Sequence, residues 1–179
     1  MRIDRRDILR SAIMLVGGAA LPPGAWAFEA GGRAAAFFDP PERSALMILC
    51  DTMMPRTDTP GALDAGVPAF LDTLMAGWAS PAHQRLMREA IAHLTQAARD
   101  DTGKPLASLD RAERTAWLAT ADQRLIAGRD QGYAQFKRLV LTGYYYSEAG
   151  ATQELRYELA PGVWEPAVPI TADTRTWAA

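Results

Sequence analysis

The sequence predicts an all-α fold, a compact array of about five or six helices with an extended, proline-containing C-terminal arm. Three observations predict it. Apolar residues recur every three or four positions through most of the chain, the period of a helix with one buried face. Each such stretch is bounded by Pro, Gly, Ser or Asp where helices start and stop. No stretch shows the sustained alternation of β-branched residues that marks a half-buried strand. The composition agrees: 179 residues, 49% hydrophobic and 22% charged, describe a globular chain and exclude a disordered or collagen-like one.

The first element is an address rather than part of the fold. Arg2, Arg5, Arg6 and Arg10 precede an apolar run from Ala12 to Leu21. That run is too short for a membrane-spanning helix, which needs about twenty apolar residues, and Gly17, Gly18, Pro22 and Pro23 weaken it further. Ala25-Trp26-Ala27 then fits a secretory cleavage site, with cutting after Ala27. The expected organisation is a signal peptide over 1–27 and a single helical domain over 28–179. The run Asp4-Arg5-Arg6-Asp7-Ile8-Leu9-Arg10 resembles the twin-arginine export motif, with Asp4 in place of the usual Ser or Thr and Arg10 in place of Lys. An ordinary secretory signal that happens to hold two arginines is the alternative. Removing 1–27 takes away more positive than negative charge and leaves a mildly acidic chain.

Residues 28–39 are small and mixed and predict a loose lead-in. Pro40-Pro41-Glu42 opens the first helix, whose face carries Leu46, Leu49 and Met53 with Cys50 beside them, and Pro55 ends it. Arg56 to Gly66 is rich in turn residues. Val67-Pro68 starts a second helix with a stripe of Phe70, Leu71, Leu74 and Met75. Ser80-Pro81 caps a third, with Leu86, Met87, Ala90, Ile91, Leu94 and Ala98 repeating to about Arg99. Ser108 or Asp110, the latter with Glu113 three residues on, caps a fourth with Trp117, Leu118, Ala121, Leu125 and Ile126 inward. Asp130 starts a fifth, with Tyr133, Phe136, Lys137, Val140, Leu141 and Tyr144 on one side. A short helix or turn is expected near 152–157. The tail beyond holds Pro161, Pro166 and Pro169 and shows no period, so it reads as extended.

Composition narrows the chemistry. A net charge of −2 gives no reason to expect nucleic acid as a partner. A single cysteine rules out an internal disulfide, a CxxC pair, a Cys-based zinc site and a CxxCH haem attachment. Cys50 itself reads either as a small buried hydrophobe or as half of a bridge to another chain. His83 and His93 lie ten apart on one helix and so on different faces, which speaks for separate surface or packing roles rather than a shared metal. Asp51, Asp58, Asp64, Thr57 and Thr59 make the first loop oxygen-rich, but their spacing matches no EF-hand and the same residues suit a rigid turn. Tyr144-Tyr145-Tyr146 cannot all face one core, so at least one tyrosine points elsewhere, to the domain's own surface or to a partner. Trp164 and Trp177 in an aperiodic arm suggest anchoring. No nucleophile elbow, phosphate-binding loop or dinucleotide fingerprint is present.

Two stretches carry a resemblance. Cys50-Asp51-Thr52-Met53-Met54-Pro55-Arg56-Thr57-Asp58-Thr59-Pro60-Gly61-Ala62, followed by Ala65-Gly66-Val67-Pro68-Ala69-Phe70, resembles a signature of the gluconate 2-dehydrogenase subunit 3 family. Gly143-Tyr144-Tyr145-Tyr146-Ser147-Glu148, with Leu155-Arg156-Tyr157 and Pro161-Gly162-Val163-Trp164, resembles its second signature. The middle of the chain, 80–130, agrees only as generic helix. The resemblance implies a small subunit of a periplasmic, membrane-associated sugar or polyol dehydrogenase. The implied partner is a large FAD subunit of the glucose–methanol–choline type, with a multihaem cytochrome c as a possible third member. The small subunit would hold neither FAD nor haem nor metal. It would help the large subunit fold and take it through the twin-arginine machinery, with no catalytic residue of its own. The expected interface or structural residues are Cys50, Asp51, Pro55, Thr57, Asp58, Thr59, Pro60, Gly61, Gly66, Pro68, Tyr144, Tyr145, Tyr146, Ser147, Tyr157, Pro161, Gly162 and Trp164. The rival readings are an independent periplasmic enzyme using Asp51, Asp58 and Tyr145, and an export chaperone that leaves after delivery.

Overall fold

The structure, a computed structural model, describes residues 36–157, 162, 167, 169–171 and 174–177. The expectations for Arg5, Arg6, Ala27, Pro161 and Trp164 lie outside these residues. Among the described residues there are five α-helices and no strand: α1 (Pro40–Met53), α2 (Val67–Gly77), α3 (Pro81–Thr102), α4 (Arg111–Ala127) and α5 (Gln131–Tyr145). A 3₁₀ turn, Leu106–Ser108, joins α3 to α4, and a π-helical turn, Gly150–Glu154, follows α5. The all-α array is therefore as the periodicity predicts.

Local chemistry sets the boundaries. Asp39 caps α1, accepting from the Glu42 N–H at 2.8 Å while Glu42 accepts from the Asp39 N–H at 3.1 Å. The same reciprocal pair, Asp110 and Glu113, opens α4. Ser80 and Asp130 cap α3 and α5. The left-handed Gly103 (φ 71°) stops α3 at Thr102, three residues beyond the expected end. That last turn is held because the Thr102 hydroxyl donates to Ala98 O at 2.6 Å and Asp101 accepts from Trp117 and Arg124 of α4.

α1 packs on α2, α3 and α4, and α5 packs on α2, α3 and α4. Between them lies one core, with Leu46, Leu49, Leu71, Ile91, Leu94, Phe136 and Val140 almost wholly buried. Each such side chain contributes about 1.5–3 kcal/mol by leaving water. The lead-in is not loose where it is described. Phe38 is 1% exposed, its N–H donates to Asp72 at 3.0 Å, and Arg88 lies over the Phe37 ring at 4.3 Å. Ile126, expected in the core of α4, is instead 48% exposed at that helix's last turn, on the wall of an open groove shared with α5. In the tail, Arg156 forms an isolated parallel bridge with Trp177 and its guanidinium stacks on that ring at 4.0 Å.

Candidate functional site: a platform built from two motifs

The loop between α1 and α2 is closed by its own backbone. Ala62 N–H donates to Met54 O at 2.8 Å and Val67 N–H to Ala62 O at 3.0 Å. The chain passes so close to itself that a Cβ on Gly61 would lie 2.6 Å from Arg56 N and 2.8 Å from Met54 O, which only glycine permits. Gly61 N–H donates to Asp64 at 2.9 Å, and Asp64 also pairs with Arg56. The Arg56 hydrogen bond, then that of Gly61, holds the Asp64 carboxyl below its ordinary range. Arg111 of α4 donates to Arg56 O at 2.9 Å. Gly66 is left-handed (φ 70°), and Pro68 sits in the first turn of α2.

The second motif lies against the first. Tyr144 is 2% exposed and its hydroxyl donates to Pro60 O at 2.7 Å. Burial pushes its phenol above the ordinary value. Thr59 donates to Glu154 of the π-helical turn at 2.6 Å, and its hydroxyl lies 3.4 Å from that of Thr57. Ser147 donates to Tyr144 O at 2.6 Å and accepts from Gly150 N–H at 3.0 Å. A Cβ on Gly150 would fall 2.1 Å from Tyr144 O, so the turn requires glycine there. Residues about ninety positions apart thus form one braced platform.

Other expected residues lie around it. Pro55 ends α1 at the edge of the core, half-buried, and Asp58 is exposed at the loop tip. Asp51 faces Arg114 of α4 at 4.0 Å; the Arg114 Nε is buried with no hydrogen-bond partner among the described residues. Tyr145 packs edge-on against Tyr144 and lines a shallow groove with Ile126, Leu141 and Tyr146. Neither Asp51 nor Asp58 lines that groove, so the three residues of the rival enzyme reading are not gathered around it. Tyr146 and Tyr157 are exposed, and Gly162 is left-handed (φ 72°). Cys50 is fully buried, and desolvation, with Asp51 adding to it, pushes its thiol up to about 12. Its sulfur faces the core, and a bridge to another chain would require α1 to unpack.

Arg56, Arg111, Gly150 and Glu154 are platform residues outside the expected set, and Asp64, expected only as one of the oxygen-bearing residues of the loop, pairs with Arg56 and Gly61. Gly150 carried a signal, a glycine a few residues beyond a helix end. Arg111 and Glu154 are ordinary charged residues whose partners are distant in sequence, and Arg56 is an ordinary charged residue within the loop. Among the described residues no group of three His, Cys, Asp or Glu side chains converges as a metal site, and no helix is long and apolar enough to cross a membrane. His83 bonds its own cap, Ser80, at 2.9 Å, while His93 lies 3.3 Å from Asp130.

Such a helical scaffold, with two irregular segments cemented together on it, is of the class that presents a fixed surface. Comparison with known families makes it particular. Residues 40–162 match gluconate 2-dehydrogenase subunit 3, a span that takes in both motifs and the helices between. The chain belongs to the gluconate 2-dehydrogenase subunit 3 family, and is accordingly a subunit of a multi-subunit dehydrogenase complex. No curated protein and no solved structure matches it.

Proposed function

We propose that this chain is the non-catalytic small subunit of a periplasmic, FAD-dependent sugar or polyol dehydrogenase of the glucose–methanol–choline type. In this reading it binds the large flavoprotein subunit, stabilises it and escorts it, folded, through the twin-arginine machinery. FAD belongs to the large subunit, haem c to a possible cytochrome subunit, and substrate oxidation to the partner. The complex is held at the membrane by its other members.

One observation carries the reading. Four polar side chains of the platform are spent inside the chain: Thr59 on Glu154, Asp64 on Arg56 and Gly61, Tyr144 on Pro60, Ser147 on the π-helical turn. A catalytic group needs reach to a substrate; these groups instead hold a shape. Shape without chemistry suits a binding subunit. The paired Arg5 and Arg6 add a route for folded cargo, which a flavoprotein needs if it acquires FAD before export.

The test replaces Arg5-Arg6 with Lys-Lys in the producing cell and follows both subunits by fractionation. Retention of both in the cytoplasm is expected. A flavoprotein that still reaches the periplasm sinks the escort role, and a periplasmic flavoprotein recovered free of this chain supports the departing chaperone instead.

A further inference from the structure

α2 and the turn after it, from Val67 to Ser80, contain a single charged residue, Asp72, and that residue is turned back into the fold. Its carboxylate accepts the Phe38 N–H at 3.0 Å and lies 3.9 Å from Arg43. The inner face, Val67, Leu71 and Met75, is buried. The outer face is left with Phe70 at 45% exposure, half-buried Leu74, and Trp78 at 86%. Phe70 and Leu74, four apart on α2, share that face, and Trp78 follows at the helix end, its N–H donating to Leu74 O at 3.0 Å, to complete an apolar ridge.

The ridge continues onto α5. Gly143 lies beneath Phe70, so close that a Cβ there would be 3.0 Å from the ring. Leu139, Gly143 and Tyr146 share a face by helical spacing, and Tyr146 is 77% exposed. The outward face of α3 is the contrast: Arg85, Glu89, Gln96 and Asp100 make it a solvated surface. The α2 part of this strip, uncharged and bearing Phe and Trp, has the composition of an interface core, where charge is depleted and aromatics are enriched, while Tyr146 at its α5 end also borders the groove that holds Lys137 and Arg138. Family membership supplies the occupant, because a subunit of a dehydrogenase complex has a face covered by another subunit.

We propose that the Phe70–Leu74–Trp78 ridge, with Tyr146 at its α5 end, seats the dehydrogenase subunit, whose matching surface is an uncharged apolar hollow that takes the Trp78 ring. This assignment rests on the proposed function, in which the chain works while bound to that subunit.

The experiment uses the full-length tagged chain in its native host, with a photo-crosslinking benzoyl-phenylalanine placed at position 70, 78 or, as control, 96. Crosslinks to the flavin-bearing dehydrogenase subunit are expected from 70 and 78 and not from 96. Trp78→Glu should lower recovery of that subunit at least about tenfold, the loss expected of a central aromatic anchor, with the melting temperature of the isolated chain unchanged. Crosslinks from 96 alone, to a second copy of this chain or only to lipid overturn the assignment, as does undiminished recovery with Trp78→Glu. A wild-type chain that recovers no dehydrogenase subunit overturns the functional reading itself, and this assignment with it.

Discussion

Gly61 and Gly150 are fixed by what stands opposite their missing Cβ atoms, backbone in both cases. Gly61→Ala should cost about 1–3 kcal/mol, because rigid backbone cannot yield as a side chain does, and chemical denaturation measures it. Gly143→Ala is the instructive contrast. The atom in the way is the ring of half-exposed Phe70, which can swing out, and alanine suits a helix interior better than glycine by about 1 kcal/mol. Its stability should change little. Tyr144→Phe removes the donor to the partly buried Pro60 O and should cost about 1 kcal/mol, the net value of the lost hydrogen bond. These roles were only partly legible in the sequence. A glycine in a turn is visible there, but which atom forbids its side chain depends on chain brought close in space.

Asp122 carries a pH prediction. Lys137, then Tyr133, bonds its carboxylate and lowers its pKa from the ordinary 3.8. A depressed acid contributes stability that is fully present above the unfolded value and lost as pH falls through the folded one. Melting temperature should therefore fall as pH drops below about 4, in company with the other depressed acids, Asp64, Asp101 and Glu113. Asp122→Asn should flatten part of that fall, and an unchanged acid profile would refute the assignment.

At the scale of elements, the helices were legible because their start signals are local. Asp110 with Glu113, Ser80 with Pro81, and Asp130 each sit at the observed boundary. The misreadings came where tertiary contact overrides local pattern. Phe38 is ordered by Asp72, more than thirty residues away, and the end of α3 is held by Trp117 and Arg124. The convergence of the two motifs was hidden for the same reason, since nothing near Thr59 announces Glu154. Their contact makes its own prediction. Glu154→Ala should raise amide exchange in both 54–62 and 150–156 while the global transition moves little, because the bond ties two irregular segments rather than the core. Faster exchange in only one segment would show that the two do not act as a unit.

On the scale of the whole molecule, the fold gives a rigid scaffold and the family gives a place in a dehydrogenase complex. An uncharged aromatic ridge and braced motifs fit the binding role proposed above. The complex was legible only through the resemblance of residues 50–70 and 143–164, because membership of an assembly leaves no period or composition that marks it in a single chain. The most direct measurement is purification of the mature tagged chain from the periplasm, followed by flavin absorbance and turnover of sugars with an artificial electron acceptor. The account predicts that flavin and activity co-elute with this chain, bound in one larger subunit, and vanish when that subunit is stripped away. A chain that elutes alone, or that turns over substrate by itself, would contradict it.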